Sequence, residues 1–170
     1  MKRSRLRKHP SASIRFLLEA LDQAYDQQAW HGTNLRGSLR GLTWAEALWR
    51  PAPGRHNMWE EVLHAAYWKY SVRQRLTGGK RGTFPLKGSN WFPSPASPAG
   101  TAEWNQALRL LKESHHSLRQ AVSEFPVAQI ERRLPGSKWS AFDLIVGAAF
   151  HDIYHAGQIQ LLKRLQKNST

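Results

Sequence analysis

Four stretches of the chain repeat apolar residues at a helical interval, and between them the period disappears. In the first, Ile14, Leu17, Leu18, Leu21, Ala24 and Tyr25 fall on one side of a 3.6-residue repeat, which predicts a helix over 11–29. Trp30-His31-Gly32 breaks it, and Gly32 suits a position just past a helix end. Residues 33–56 read as loop around a short helix over 43–49, where Thr43 and Glu46 have capping-box spacing. Pro51-Ala52-Pro53-Gly54 then forces a turn, because proline cannot continue a helix. The second long helix is predicted over 57–76, with Asn57 as cap and Glu60 reaching back to it. One of its faces carries Glu60, Glu61, His64, Tyr67, Trp68 and Ser71, polar and aromatic where a plain core face is aliphatic. Residues 77–100 are rich in Gly, Pro and Ser and carry no period. Loops of that length are functional or are crossovers, and Phe84, Trp91 and Phe92 are expected to pin this one to the helices. The third helix is predicted over 102–125, with the stripe Trp104, Ala107, Leu108, Leu111, His115, Leu118 and Val122, and Pro126 ends it. The fourth runs over 140–167, opened by Ser140 with Asp143 as its N-cap signal.

Four amphipathic helices without a strand-rich region predict an all-α fold, a four-helix bundle. A helix of about 20 residues is about 30 Å long, and about 10 extended residues cover that distance. The connection over 77–100 can therefore run the length of the bundle and leave the second and third helices parallel. The expected order is up-down-down-up, with a long crossover between helices two and three. Residues 11–170 form one domain in this reading, preceded by a disordered basic tail over 1–10.

Composition narrows the chemistry. No cysteine is present among the 170 residues, so disulfides, thiolate metal sites and a cysteine nucleophile are excluded, which fits a cytoplasmic protein. No apolar run reaches the length of a membrane span, and no apolar segment follows the basic start, so no membrane role is expected. The formal net charge is +13. Such a field attracts anions, nucleic acid included. Much of it sits in the first eight residues, however, and no helix-turn-helix, zinc-finger or RNA-binding pattern accompanies it, so nucleic acid is not the favoured partner.

The candidate chemistry lies in histidines. His151 and His155 are one turn apart on the fourth helix and share a face with Leu144, Gly147, Ala148, Gln158 and Leu162. An apolar stripe faces a core, so both imidazoles should point inward, where each needs a polar partner. A metal ion supplies that partner, and so does a hydrogen-bond network. In the up-down-down-up order His64 of the second helix comes level with the pair and completes a possible triad. Three neutral imidazoles leave the full charge on a divalent ion, which favours ionisation of a water, thiol or hydroxyl. Imidazole suits zinc or nickel first here, with iron, manganese or copper as further options. Glu61 is placed either as an acceptor for a ligand imidazole or as a general base. His31 and His56 lie in loops expected at the same end, where one of them can move protons. His115 is expected in a hydrogen-bonded core role and His116 in solvent; Tyr67, Trp68 and Tyr154 read as core aromatics. A second apolar stripe on the fourth helix, Phe142, Ile145, Val146, Ala149 and Ile153, predicts a homodimer through that face.

Three segments in order carry a family resemblance: Arg50-Pro51-Ala52-Pro53-Gly54-Arg55, Leu63-His64, and His151-Asp152-Ile153-Tyr154-His155-Ala156-Gly157-Gln158-Ile159. Over roughly 12–166 the chain resembles the DinB family of DinB/YfiT-like metalloenzymes. The resemblance implies the up-down-down-up bundle, a divalent metal on His64, His151 and His155, and frequent dimers. It also implies transfer of low-molecular-weight thiols, or thiol-assisted isomerisation, in some relatives. The expected function is a metal-dependent thiol S-transferase or hydrolase acting on a small molecule. With no cysteine in the chain, any thiol comes from the substrate. Glu61 and His31 are the expected catalytic residues. Two other functions compete: a metal-binding stress protein without turnover, and a nucleic-acid contact through Lys2, Arg3, Arg5, Arg7 and Lys8.

Overall fold

The computed structural model describes residues 11–80, 82–96 and 99–169. The basic tail over 1–10 lies outside the described residues. The chain forms α1 (Ala12–Tyr25), α2 (Leu35–Ser38), α3 (Trp44–Leu48), α4 (Met58–Thr77), α5 (Thr101–Glu124), a 3-10 turn (Val127–Gln129) and α6 (Ala141–Lys167). Among the described residues there is no strand, and Arg133 and Ser140 form an isolated antiparallel bridge. No helix among them is long and apolar enough to cross a membrane.

The helix starts follow local chemistry. The side chains of Ser11, Thr43, Asn57 and Ser140 each accept an N-terminal backbone N–H of the helix they open. At α3, α4 and α6 an acidic residue closes the capping box, and each such cap is worth about 1 kcal/mol. Gly78 ends α4 in the left-handed region, φ 65°, and with Gly79 returns its N–H to the Gln74 carbonyl. One boundary and one element differ from the sequence pattern. The first helix stops at Tyr25 rather than near 29, because the N–H groups of Asp26 and Gln27 both turn back to the Asp22 carbonyl. The additional helix α2 is too short to show a period. It is held by the Asn34 side chain, which caps Gly37 at 2.8 Å, and by the burial of Leu35 and Ser38.

Contacts fix the helix directions. Trp59 meets Trp104 and Lys69 meets His115, so α4 and α5 run parallel. Tyr25 stacks on His115 and Asp22 pairs with Arg119, so α1 runs against α5. Glu61 meets His155 and Lys69 meets Asp152, so α6 runs against α4. Two apolar clusters result, one around α4, α5, the crossover and the C-terminal half of α6, the other around α1 and the start of α6. Phe84 and Phe92 are buried in the first and dock the crossover, as their position predicts.

The face expected to form a dimer is divided. Ile145 and Ala149 are buried in the second cluster, whereas Phe142 is exposed and Val146 and Ile153 are half-buried. Tyr154, expected in the core, is 62% exposed. In its place the buried side of α6 carries Asp152, a charge that the sequence pattern does not single out.

Candidate metal centre

His64 stands in the first half of α4, and His151 and His155 stand on the facing side of the antiparallel α6. Their Nε2 atoms converge: that of His151 lies 3.1 Å from that of His64 and 3.0 Å from that of His155. Of the three, His64 and His155 are buried and His151 is half-buried. His64, His151 and His155 are thus brought together as the sequence predicts.

What surrounds them fixes the tautomers. His64 donates its Nδ1–H to the Asn90 carbonyl at 2.9 Å. His155 donates its Nδ1–H to the Glu61 carboxylate. Each therefore turns an Nε2 lone pair toward the shared point, and the one Nε2 proton that His151 can carry satisfies at most one of them. Burial drives the pKa of His64 down to about 4 and that of His151 down to about 3, with the neighbouring imidazoles adding to the effect at His151. These shifts favour neutral rings at His64 and His151. A divalent cation satisfies every lone pair turned to the shared point, and a tetrahedral zinc site spaces its nitrogens by about 3.3 Å, from a Zn–N bond of about 2.0–2.1 Å. The donor set fits such an ion.

The crossover closes the site. Asn90 adopts φ 67°, a left-handed geometry that asparagine tolerates. From there its carbonyl reaches His64 and its Oδ1 accepts the Trp68 indole N–H at 2.9 Å. Trp91 is sandwiched between the rings of His64, at 3.8 Å, and His56, at 3.6 Å. His56 reaches the Glu60 carboxylate through Nδ1 at 3.0 Å. Glu60 also receives the Arg50 guanidinium through both oxygens and the Ser94 N–H. Burial alone raises the pKa of Glu60, but these donors overcome it and hold the carboxyl at about 2. Glu60 is therefore more than a cap, since it locks the Arg50–His56 turn and the crossover to the start of α4.

Of the two expected catalytic residues, Glu61 is buried against His155, whose ring it holds in place. His31 is exposed after α1 and no contact joins it to the cluster among the described residues. The loop histidine that the structure brings to the site is His56. Trp91 pins the crossover as its aromatic character predicts, but its place between two histidines carries no sequence signal, and Asn90 carries none beyond its place in a long loop.

Beside the centre lies a second polar group. Lys69, Asp152, His115 and Tyr25 come one from each long helix and are all buried. Lys69 pairs with Asp152 Oδ2, lies 3.4 Å from His115 Nδ1 and sits over the Tyr25 ring. His115 thus takes the hydrogen-bonded core role expected of it.

Helices that bring three imidazoles to one point, with the outer nitrogens of two of them held by a carbonyl and a carboxylate, form a group able to hold a metal ion. The family model for the DinB superfamily matches residues 25–159, and the chain belongs to that superfamily. The chain is also similar to a solved structure, the conserved protein of a locus from Enterococcus faecalis. That match has 19% identity and a TM-score of 0.63, and covers 89% of this chain and 95% of that one. At that identity the likeness shows the fold alone. The comparison with curated proteins gives no match.

Proposed function

We propose that the protein is a divalent-metal-dependent enzyme, a thiol S-transferase or hydrolase, built as an up-down-down-up four-helix bundle with α1, α4, α5 and α6 as its long helices. The helix directions set out above support the bundle. The observation that carries the metal reading is the pair of fixed tautomers: Asn90 and Glu61 hold the Nδ1 protons of His64 and His155, leaving both Nε2 lone pairs to meet His151. A buried site built this way without a cation leaves acceptors facing one another. When bound, a zinc or nickel ion lowers the pKa of a substrate thiol or of water and so supplies the nucleophile at neutral pH. The chain's own part is to orient the ligand rings through Glu61 and Asn90 and to shield His64 beneath Trp91. His56, half-exposed at the rim, stands where a proton can be passed to solvent.

The test is elemental analysis of untagged protein. About one zinc or nickel per chain is expected, and His151→Ala should remove it. Glu61→Ala should weaken metal affinity about 10–100-fold, the usual effect of losing a carboxylate behind a ligand imidazole, and His31→Ala should change nothing. Wild-type protein that takes up no divalent ion at micromolar concentration ends the proposal. A screen of low-molecular-weight thiols with electrophiles, and of hydrolysable esters and amides, then decides between transfer and hydrolysis.

A further inference from the structure

Next to the metal centre, α4 and α6 leave an open groove of about 500 Å³. His151, the most exposed of the three imidazoles, forms its inner end. Trp68, Val72, Trp139, Phe142, Val146 and Phe150 make up most of its walls. The Trp68 indole N–H is already taken by Asn90, so its ring presents an apolar surface. Gly147 lies between these walls, and a Cβ built there meets nothing within 4 Å. The bare glycine leaves the groove its depth.

One cation lines the groove. Arg75 is half-buried on the same side of α4 as Trp68 and has no ion-pair or hydrogen-bond partner among the described residues. At 1.5 Å per residue it stands about 10 Å along the helix from Trp68. The rim also carries Asp143, whose Oδ2 accepts the Ser140 N–H at 2.9 Å and hydroxyl at 2.7 Å as the cap of α6, and which makes no ion pair with Arg75. A half-buried guanidinium without an acceptor at the end of an apolar trough is a recognition element for an anion. The volume is that of a small-molecule site.

The geometry points to a substrate of one class: an elongated acyl or aryl molecule that carries a carboxylate. Its apolar body lies in the groove over Gly147, its carboxylate meets Arg75, and its other end reaches the three imidazoles. The inference rests on the proposed metal centre only for where the reacting end lies; the binding itself is a property of the groove.

Isothermal titration of the full-length protein with octanoate, n-octanol and octylamine tests it, with metal content measured in parallel. Octanoate should bind one per chain, and octylamine about tenfold more weakly or not at all. Arg75→Met should reduce octanoate affinity about tenfold, the value of a charge-assisted hydrogen bond, and leave n-octanol unchanged. Gly147→Trp should abolish binding of both ligands with the metal content intact. No binding of octanoate, or octanoate binding indifferent to Gly147→Trp, overturns the inference. Indifference to Arg75→Met overturns the assignment of the carboxylate. A groove filled by a second copy shows as a dimer that Gly147→Trp makes monomeric, with no ligand bound by either form, and that also overturns it. If His151→Ala and wild type both lack metal while octanoate still binds, the metal reading fails and the groove stands.

Discussion

At the residue scale the buried histidines make the protein sensitive to acid. Burial first, and then the charge of Lys69, push the pKa of His115 down to about 2. Its surroundings explain the direction: Lys69 from α4, His116 and Arg119 from its own helix, and on the other side the Tyr25 ring and Asp22, the latter 3.8 Å away. The ordinary value is about 6.5. Below that pH the unfolded chain takes up a proton that the folded one refuses, so stability is complete above about pH 6.5 and falls as pH drops toward 2. Urea unfolding at pH 8 and pH 5 should show a lower midpoint at pH 5, and His115→Phe should narrow the gap. An equal gap in the variant assigns the acid sensitivity elsewhere. His64 and His151 obey the same sign in metal-free protein. The sequence makes the triad readable because i and i+4 on one helix determine a shared face. It is silent on Asn90 and on the stacking of Trp91, because a loop has no period from which a carbonyl's direction or a ring's partner can be read. The same limit lies behind the choice of His31 over His56 as a catalytic residue, since only tertiary contact brings His56 and not His31 to the site.

At the scale of the helices, the caps at Thr43, Asn57 and Ser140 are legible since each involves residues three apart in sequence, whereas Ser11, expected as the first helical residue, proves to be the cap of α1. Asp152 is not legible, because within α6 it looks like an exposed charge between the two histidines of the cluster. Its identity as core depends on Lys69, which is far away in the chain. The pair is 1% and 0% exposed, and Asp152 Oδ1 finds no partner among the described residues. Burial pushes the Asp152 carboxyl upward while Lys69 opposes it, so the charged pair is held against a desolvation cost. Breaking it by one substitution leaves an uncompensated buried charge, which costs about 3–5 kcal/mol. Lys69→Met should therefore destabilise by that amount. The double variant Lys69→Met/Asp152→Leu should recover most of the loss, since apolar residues of similar volume replace such pairs at little cost. Additive losses in a double-mutant cycle would show that the two do not act as a pair. Retention of metal by the double variant separates this network, which ties four helices together, from the centre beside it.

At the scale of the molecule, the unexplained surface is the outer side of α6. Phe150, Tyr154, Leu161 and Leu165 are 66%, 62%, 52% and 40% exposed, and they recur at helical spacing along one side. Gly157 lies among them, and a Cβ there meets nothing within 4 Å, so another helix can approach closely. This strip differs from the stripe read in the sequence, because the pattern cannot tell which of two apolar sides a neighbouring helix takes. Here α1 takes Ile145 and Ala149. An apolar strip along a single helix is self-complementary under a two-fold axis, so two copies can bury it against each other. Tyr154, Leu161 and Leu165 lie beyond the groove toward the C-terminus, and a contact centred on them leaves the way to the metal centre open. Light scattering at micromolar concentration should give a dimer mass. Leu161→Glu with Leu165→Glu should give a monomer, since each leucine otherwise contributes about 1.5–3 kcal/mol on full burial and a carboxylate in its place must be desolvated. Metal content and octanoate binding should survive the double substitution. A wild-type monomer removes the dimer; a dimer untouched by the two glutamates moves its interface off this strip.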